Sequence, residues 1–363
     1  MSPEQTGPPE RTGPSKRTGR VQTVLGLIDP QELGVTMHHE HALIDQGCYF
    51  EMPDEATERW YIGRPFTMEM RGNIGNHWAW NRDTHTLLNE KAQTEEVYKL
   101  FLAGGNSMVD TTSIGIGRDP LALTRISRAT GLNIVMGGSF YVPPSYPDDM
   151  ADRTEQQLTD GIIRDVTVGV GETGVKTGII GEVGNAWPTN ETTRRILRAS
   201  AQASTETGAP ILIHPGFDVD SPLHIMADLI DAGADPTRVV MAHQDEFSDV
   251  NLVRKVAETG AMIEYDHFGF ENTQWGGLGR PGIGIPTDVQ RMQRLEQLIA
   301  WGYGDRLLVS HDICIKPWLT SHGGKGYAHV LESIVPRMRR RGFSESDIQA
   351  ILVDNPRRIL TFK

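Results

Sequence analysis

Side chains that can bind a divalent cation stand at the ends of short apolar runs along this chain. That arrangement restricts its fold more than any other feature. In order they are His39 and His41 in MHHEH, Glu182 in GIIGEVG, His214 in PILIHPG, His243 in VVMAHQDE and Asp312 in LLVSHDI. Each follows a short apolar, β-branched segment: VTM, TGII, PILI, RVVMA or RLLVS. Parallel strands buried on both faces read as near-continuous apolar segments of this kind. Within MHHEH, a period of two puts His39 and His41 on one face and His38 and Glu40 on the other. Histidines at that depth need partners, because an unpaired buried polar group costs roughly 1–3 kcal/mol. Four imidazoles and two carboxylates gathered from parallel strand ends can hold two divalent cations. A carboxylate at the end of an apolar strand, as at Glu182, is best compensated when it bridges them. The pattern predicts a metallohydrolase.

Strand candidates fall near residues 35–41, 107–112, 133–139, 177–182, 210–214, 238–243, 261–266 and 306–311. Between most of them lie helical patterns, among them TRRILRASAQASTET, HIMADLIDAG and VQRMQRLEQLIAWG. The last two end in glycine, the expected residue just past a helix. The later strands recur at about the thirty residues of a βαβ unit. Eight strands alternating with helices predict an α/β chain folded as one (β/α)8 TIM barrel, with a binuclear metal site at the C-terminal ends of its strands. A doubly wound open sheet is the alternative. It is disfavoured because its ligands would converge at a single switch point. The barrel is expected over residues 20–363, and residues 1–19, rich in Pro, Gly, Thr and charge, are expected to form a flexible tail.

Charge and cysteine usage narrow the partners. A formal charge of −12 and a pI near 5.5 argue against nucleic acid or an anionic membrane surface. The only cysteines are Cys48 and Cys314, with no CxxC, so no disulfide framework is expected and a reducing cytoplasm fits best. No apolar stretch approaches the roughly 18 to 20 residues of a membrane span, and the N-terminus lacks the apolar region of a secretion signal. The expectation is a cytoplasmic homodimer acting on a small-molecule substrate. Two connections are too long to be mere links. One runs from Asp45 to about Asp83 with Cys48, Tyr49, Phe50, Trp60, Tyr61, Trp78 and Trp80, and the other from Gly269 to about Thr287 with Trp275. Long loops after barrel strands are expected to act as lids, and Trp187 and Trp318 also follow strands; the bland alternative is rim padding.

The motifs HxH, GEVG, IHPG, AHQD and VSHD, in that order, resemble the phosphotriesterase family of the amidohydrolase superfamily over nearly the whole chain after the tail. The likeness is closest to the phosphotriesterase-related branch, also called resiniferatoxin-binding proteins. It rests on GIIGEVG, the HD-x-x-x-K turn (His311, Asp312, Lys316), the GG-x-GY segment ending at Tyr327 and the closing NPRRILTF. Well-known phosphotriesterases bridge their metals with a carboxylated lysine at the end of strand 4. Here that strand has none, since Lys176 precedes the apolar run, and the resemblance implies that Glu182 bridges. Assembly should then not need dissolved CO2, and phosphotriester hydrolysis becomes an alternative rather than the first choice.

The resemblance assigns His39, His41 and Asp312 to one metal and His214 and His243 to the other, with Glu182 shared. The cofactor expected is two divalent ions, zinc first, with Mn2+, Co2+ or Fe2+ as alternatives. A hydroxide bridging two cations attacks C=O or P=O centres. Asp312 is expected to accept the nucleophile's proton and His267, in EYDHFGF, to relay it, while Glu246 can orient the ligand shell or relay protons; a structural role fits His267 equally, and a solvated helix start fits Glu246 equally. Tyr141 and Lys316 are candidate contacts to a substrate oxygen and to an anionic substrate group, each equally readable as a rim residue. Carboxyl ester or lactone is the first expected substrate. An N-acyl amide on an amino or sulfonic acid is close behind. A non-catalytic binding protein is the alternative class, disfavoured because such a protein has no need to retain all six ligands.

Overall fold

The computed structural model describes residues 17–271 and 284–363. Eight strands carry the site: β1 (Thr36–Glu40), β2 (Ser107–Asp110), β3 (Asn133–Met136), β4 (Ile180–Gly184), β5 (Ile211–His214), β6 (Val239–Met241), β7 (Met262–Tyr265) and β8 (Leu307–Val309). All eight overlap the expected ranges, but β4 begins and ends later than expected, so Glu182 lies within it rather than at its end. Strands β4 to β8 form a five-stranded parallel sheet and β1 to β3 a three-stranded one. The two sheets meet along both edges. Gly138 and Gly181 exchange backbone hydrogen bonds of 2.9 Å between β3 and β4, and Asp312 N donates to His39 O at 3.1 Å between β8 and β1. The result is a (β/α)8 barrel whose regular ladder is interrupted at two seams. Glu182 lies at one seam and Asp312 at the other. Gly181 is required at its seam, since its φ is +143° and a Cβ there would meet Leu212 O at 2.3 Å.

One main helix follows each strand: α1 (Glu90–Leu102), α2 (Pro120–Thr130), α3 (Glu155–Thr167), α4 (Glu191–Thr207), α5 (Ser221–Asp231), α6 (Val250–Glu258), α7 (Asp288–Ala300) and α8 (Val335–Arg341). Polar residues just before them start most of these helices. Asn89, Asp119, Thr154, Asn190, Asp249 and Thr287 each accept a backbone N–H from the first turn.

Most of the strands are rich in apolar residues because both their faces are buried. Val109, Val135, Ile179, Leu212, Val240, Met262 and Leu308 form an inner cluster, while alternate residues such as Ile211, Ile213, Val239, Met241 and Ile263 pack with helix residues including Leu197 and Leu229. Counting in twos from the inner layer aims His214 (from Leu212) and Asp312 (from Leu308) into the barrel mouth. A hairpin, Val21–Thr23 with Gly26–Ile28, contributes Val21 to the inner cluster and plugs the opposite end. Of the expected tail, residues 1–16 lie outside the described residues. Arg17 donates to Thr167 O and Gly19 N to Phe362 O.

The first long connection is pinned at its base, where Ile44–Asp45 pairs with Thr86–Leu87. It folds across the loop after β8. Arg71 Nη1 donates to Pro317 O (2.5 Å) and His322 O (2.8 Å), and Lys316 Nζ lies 2.6 Å from Asp83 Oδ1. Its aromatic residues divide: Tyr61 and Trp78 are buried, whereas Trp60 is half exposed. In the second connection Trp275 lies outside the described residues, but Phe270, at its start, stacks on Trp318 with ring centroids 3.8 Å apart.

Candidate metal centre

The six residues at the strand ends converge on one another. Glu182 sits between two pairs of histidines. Its Oε1 is 3.0 Å from His214 Nδ1 and 3.0 Å from His243 Nε2, and its Oε2 is 3.6 Å from His39 Nε2 and 3.8 Å from His41 Nε2. Asp312 Oδ1 completes the second group, 3.1 Å from His41 Nε2 and 3.9 Å from His39 Nε2. None of the six is more than 5 % exposed. His243 and Asp312 have positive φ of 57° and 49°. Such backbone costs of order 1–3 kcal/mol for a non-glycine residue and gathers at functional sites.

Whether cations fit there is decided by the outer faces of the imidazoles. His243 Nδ1 lies 3.0 Å from Asp266 Oδ1, and His39 Nδ1 lies 3.1 Å from Asp266 Oδ2 and 3.2 Å from Glu264 Oε2. His41 Nδ1 donates to Thr112 Oγ1 at 2.9 Å, because that hydroxyl spends its own proton on Leu43 O. With Nδ1 bonded outward in all three rings, the neutral tautomer leaves each Nε2 lone pair facing inward. His39 Nε2 is buried and has no hydrogen-bond partner there. An inward lone pair with two carboxylates just beyond hydrogen-bond reach is what a cation needs. The residues therefore fit divalent ions, with Glu182 standing between the two histidine pairs.

Protons stand in for those charges in the metal-free protein. Burial alone would lower the His39 and His243 imidazoles, but Glu182 and Asp266 hold both well above the ordinary histidine value. Burial would raise the Glu182 carboxyl, yet His39, His214 and His243 keep it well below the usual range. Metal can enter only as the imidazole protons leave, so affinity should strengthen as pH rises and proton release should accompany binding. Calorimetry in buffers of different ionisation enthalpy reads that release. No released protons near neutral pH would contradict it.

His267 lies in the same cluster, its Nε2 3.3 Å from Asp312 Oδ2 and its Nδ1 3.3 Å from Asp245 Oδ1. Burial would depress it, but Asp245 and Asp266 raise it to about 10. Asp245 is in turn held by the buried Arg291, whose Nε is 2.5 Å away. Glu246 is buried beside His267 rather than solvated, and burial pushes its carboxyl up to about 7. Tyr141 packs at the centre, its ring 5.1 Å from His214 and its hydroxyl 3.1 Å from that of Tyr49. Lys316 stands apart, paired with Asp83.

The strict alternation expected in MHHEH does not hold. The register of β1 shifts between Met37 and Glu40, and His38 and His39 both reach Glu264, His38 Nδ1 at 2.8 Å. His311 is turned away from the centre; its Nδ1 meets Glu40 at 2.6 Å, tying β8 to β1. Sequence reasoning missed Asp266 and Glu264, although two acids spaced by two in the otherwise apolar segment MIEYDHF were the available signal. Asp266 touches a histidine of each group. Asp266→Asn should therefore weaken both metals, by about 10–100-fold. Competition with a coloured chelator measures this, and unchanged affinity at both positions would contradict it.

A cavity of about 20 Å3 opens beside the cluster, lined by Tyr49, Trp78, Tyr141, His214, His267 and Asp312 among others. A larger one of about 180 Å3 shares its Tyr49 and Phe217 walls.

A sequence model of the phosphotriesterase family matches residues 19–360. A Dictyostelium discoideum protein named N-acetyltaurine hydrolase is 39% identical, with 94% of this chain and 98% of that protein covered. A Homo sapiens protein of the same name is 37% identical, with 95% and 98% covered. Among solved structures, a resiniferatoxin-binding protein from Rhodobacter sphaeroides superposes with a TM-score of 0.90 at 32% identity, covering 95% of each chain.

Proposed function

This chain belongs to the phosphotriesterase family and is a metal-dependent hydrolase, and we propose that its native reaction is hydrolysis of an N-acyl amide. The observation that carries the hydrolase centre is Glu182 lying between two histidine pairs, with Asp312 beside one of them. The names of the relatives move the proposed substrate from the carboxyl ester or lactone, first choice on sequence, to the amide that stood close behind it.

In this proposal His39, His41 and Asp312 would hold one cation and His214 and His243 the other, with Glu182 serving both. Two such cations supply a Lewis acid and a hydroxide nucleophile at neutral pH. Asp312 would accept the proton that this hydroxide gives up as it adds to the carbonyl carbon. His267, 3.3 Å from Asp312 Oδ2 and backed by Asp245, carries that proton to the departing amine. An amine leaves as the neutral molecule only if protonated, so a relay of this kind suits an amide better than an activated ester. Tyr141 orients the carbonyl oxygen. Lys316 has three N–H donors, of which Asp83 takes one, and the others serve an anionic end of the substrate.

A panel of N-acetyltaurine, N-acetyl amino acids, lactones, aryl esters and phosphotriesters tests the reading through kcat/KM. The expected result is a clear preference for an N-acyl amide. A lactone or ester turned over about a hundredfold faster than every amide would restore the first choice. Zinc as the resident metal, a homodimer and a cytoplasmic location belong to the same proposal. Elemental analysis, light scattering and cell fractionation read them.

A further inference from the structure

The 180 Å3 cavity next to the metal centre is built from three loops. Val142 and Pro143 follow β3, Asn185 and Trp187 follow β4, and Phe217 follows β5, with Tyr49 from the first long connection as the wall it shares with the centre. None of its lining residues among those described carries a charge. It cannot compensate a sulfonate or carboxylate, but its aromatic and proline walls suit hydrocarbon. Trp187 is held at the rim against His224, with ring centroids 4.9 Å apart.

One of its lining residues has an unmet polar demand. Asn185 is 1 % exposed, and its Nδ2 donates to Val183 O (3.1 Å) and His214 O (3.0 Å). Those two carbonyls fix which end of the amide is nitrogen, leaving Oδ1 as a buried acceptor with no partner. A donor is wanted there. The N–H of a scissile amide, at the root of an arm lying in the chamber, is a donor that an ester lacks.

We propose that this chamber is the subsite for an uncharged hydrocarbon arm of the substrate, several carbons long, whose amide N–H is received by Asn185. The inference rests on the amide reading above and deepens it. The arm can belong to the acyl side or to the amine side of the bond, and the substrate series distinguish them. One series lengthens the acyl group of N-acyltaurines from acetyl to hexanoyl. The other lengthens the side chain of N-acetyl amino acids from glycine to norleucine.

In the wild-type, metal-loaded protein, kcat/KM should rise about three- to fourfold per methylene in one of the series, the gain from burying each added CH2. Ala186→Phe, which fills the chamber from its exposed rim, should flatten that slope. Flat slopes in both series, with the shortest amides still hydrolysed, would overturn the subsite and leave the amide reading standing. If no amide is hydrolysed the amide reading fails, and the subsite is then decided by calorimetric binding of n-alkanoates and n-alkyl amino acids. Affinity rising with chain length supports the chamber, and affinity independent of it overturns it.

Discussion

Glu182→Ala is expected to leave the purified protein with at most one of its two metal ions and with hydrolysis close to the uncatalysed level. Glu182 is 2 % exposed, and its two oxygens face different histidine pairs, at 3.0 Å on one side and 3.6–3.8 Å on the other. Removing it leaves two cations and four imidazoles facing each other in a buried space. Breaking a buried charge group by deleting one partner costs about 3–5 kcal/mol, a factor of more than a hundred in affinity. Glu182→Gln, which keeps the volume and loses the charge, separates that effect from the cavity the alanine creates. Metal analysis with circular dichroism checks the outcome. Two ions in either variant would refute the bridge.

Asp312→Asn should fold and keep some metal while losing about two to four orders of magnitude in kcat. Burial would raise the Asp312 carboxyl, but His267, His41 and His39 together hold it well below the ordinary range, so it is ionised throughout the working pH range. Asparagine removes that charge beside His41 and the acceptor facing His267. A structural defect alone would lower metal content and stability together. Loss of the proton acceptor should instead persist in the fully metal-loaded variant at every pH of the working range. A loaded variant with near wild-type kcat would remove Asp312 from the mechanism.

Much of this centre was legible because barrel strands impose a simple grammar. An apolar run such as PILI or RLLVS, buried on both faces, announces a strand, and the polar residue at its end announces the mouth. Residues that meet through the barrel wall were harder to read. Glu264 and Asp266 could be seen as two acids in an apolar strand, but nothing local says that they reach His38, His39 and His243 on strands far away in sequence. The alternation assumed for MHHEH failed because β1 changes register against β2 between Met37 and Glu40. Substrate choice was the least legible part. The larger chamber is assembled from residues near 49, 142–144, 185–187 and 216–217, loops with no shared periodicity. Ester and amide therefore could not be separated from the strand ends alone.

The most direct test of the central claim is a metal titration of chelator-stripped protein, with N-acetyltaurine hydrolysis followed at each addition. The account predicts no activity in the stripped protein and a rise that breaks at two equivalents of divalent metal per chain. Hydrolysis by the fully stripped protein, or full activity reached at one equivalent, would contradict a centre bridged by Glu182.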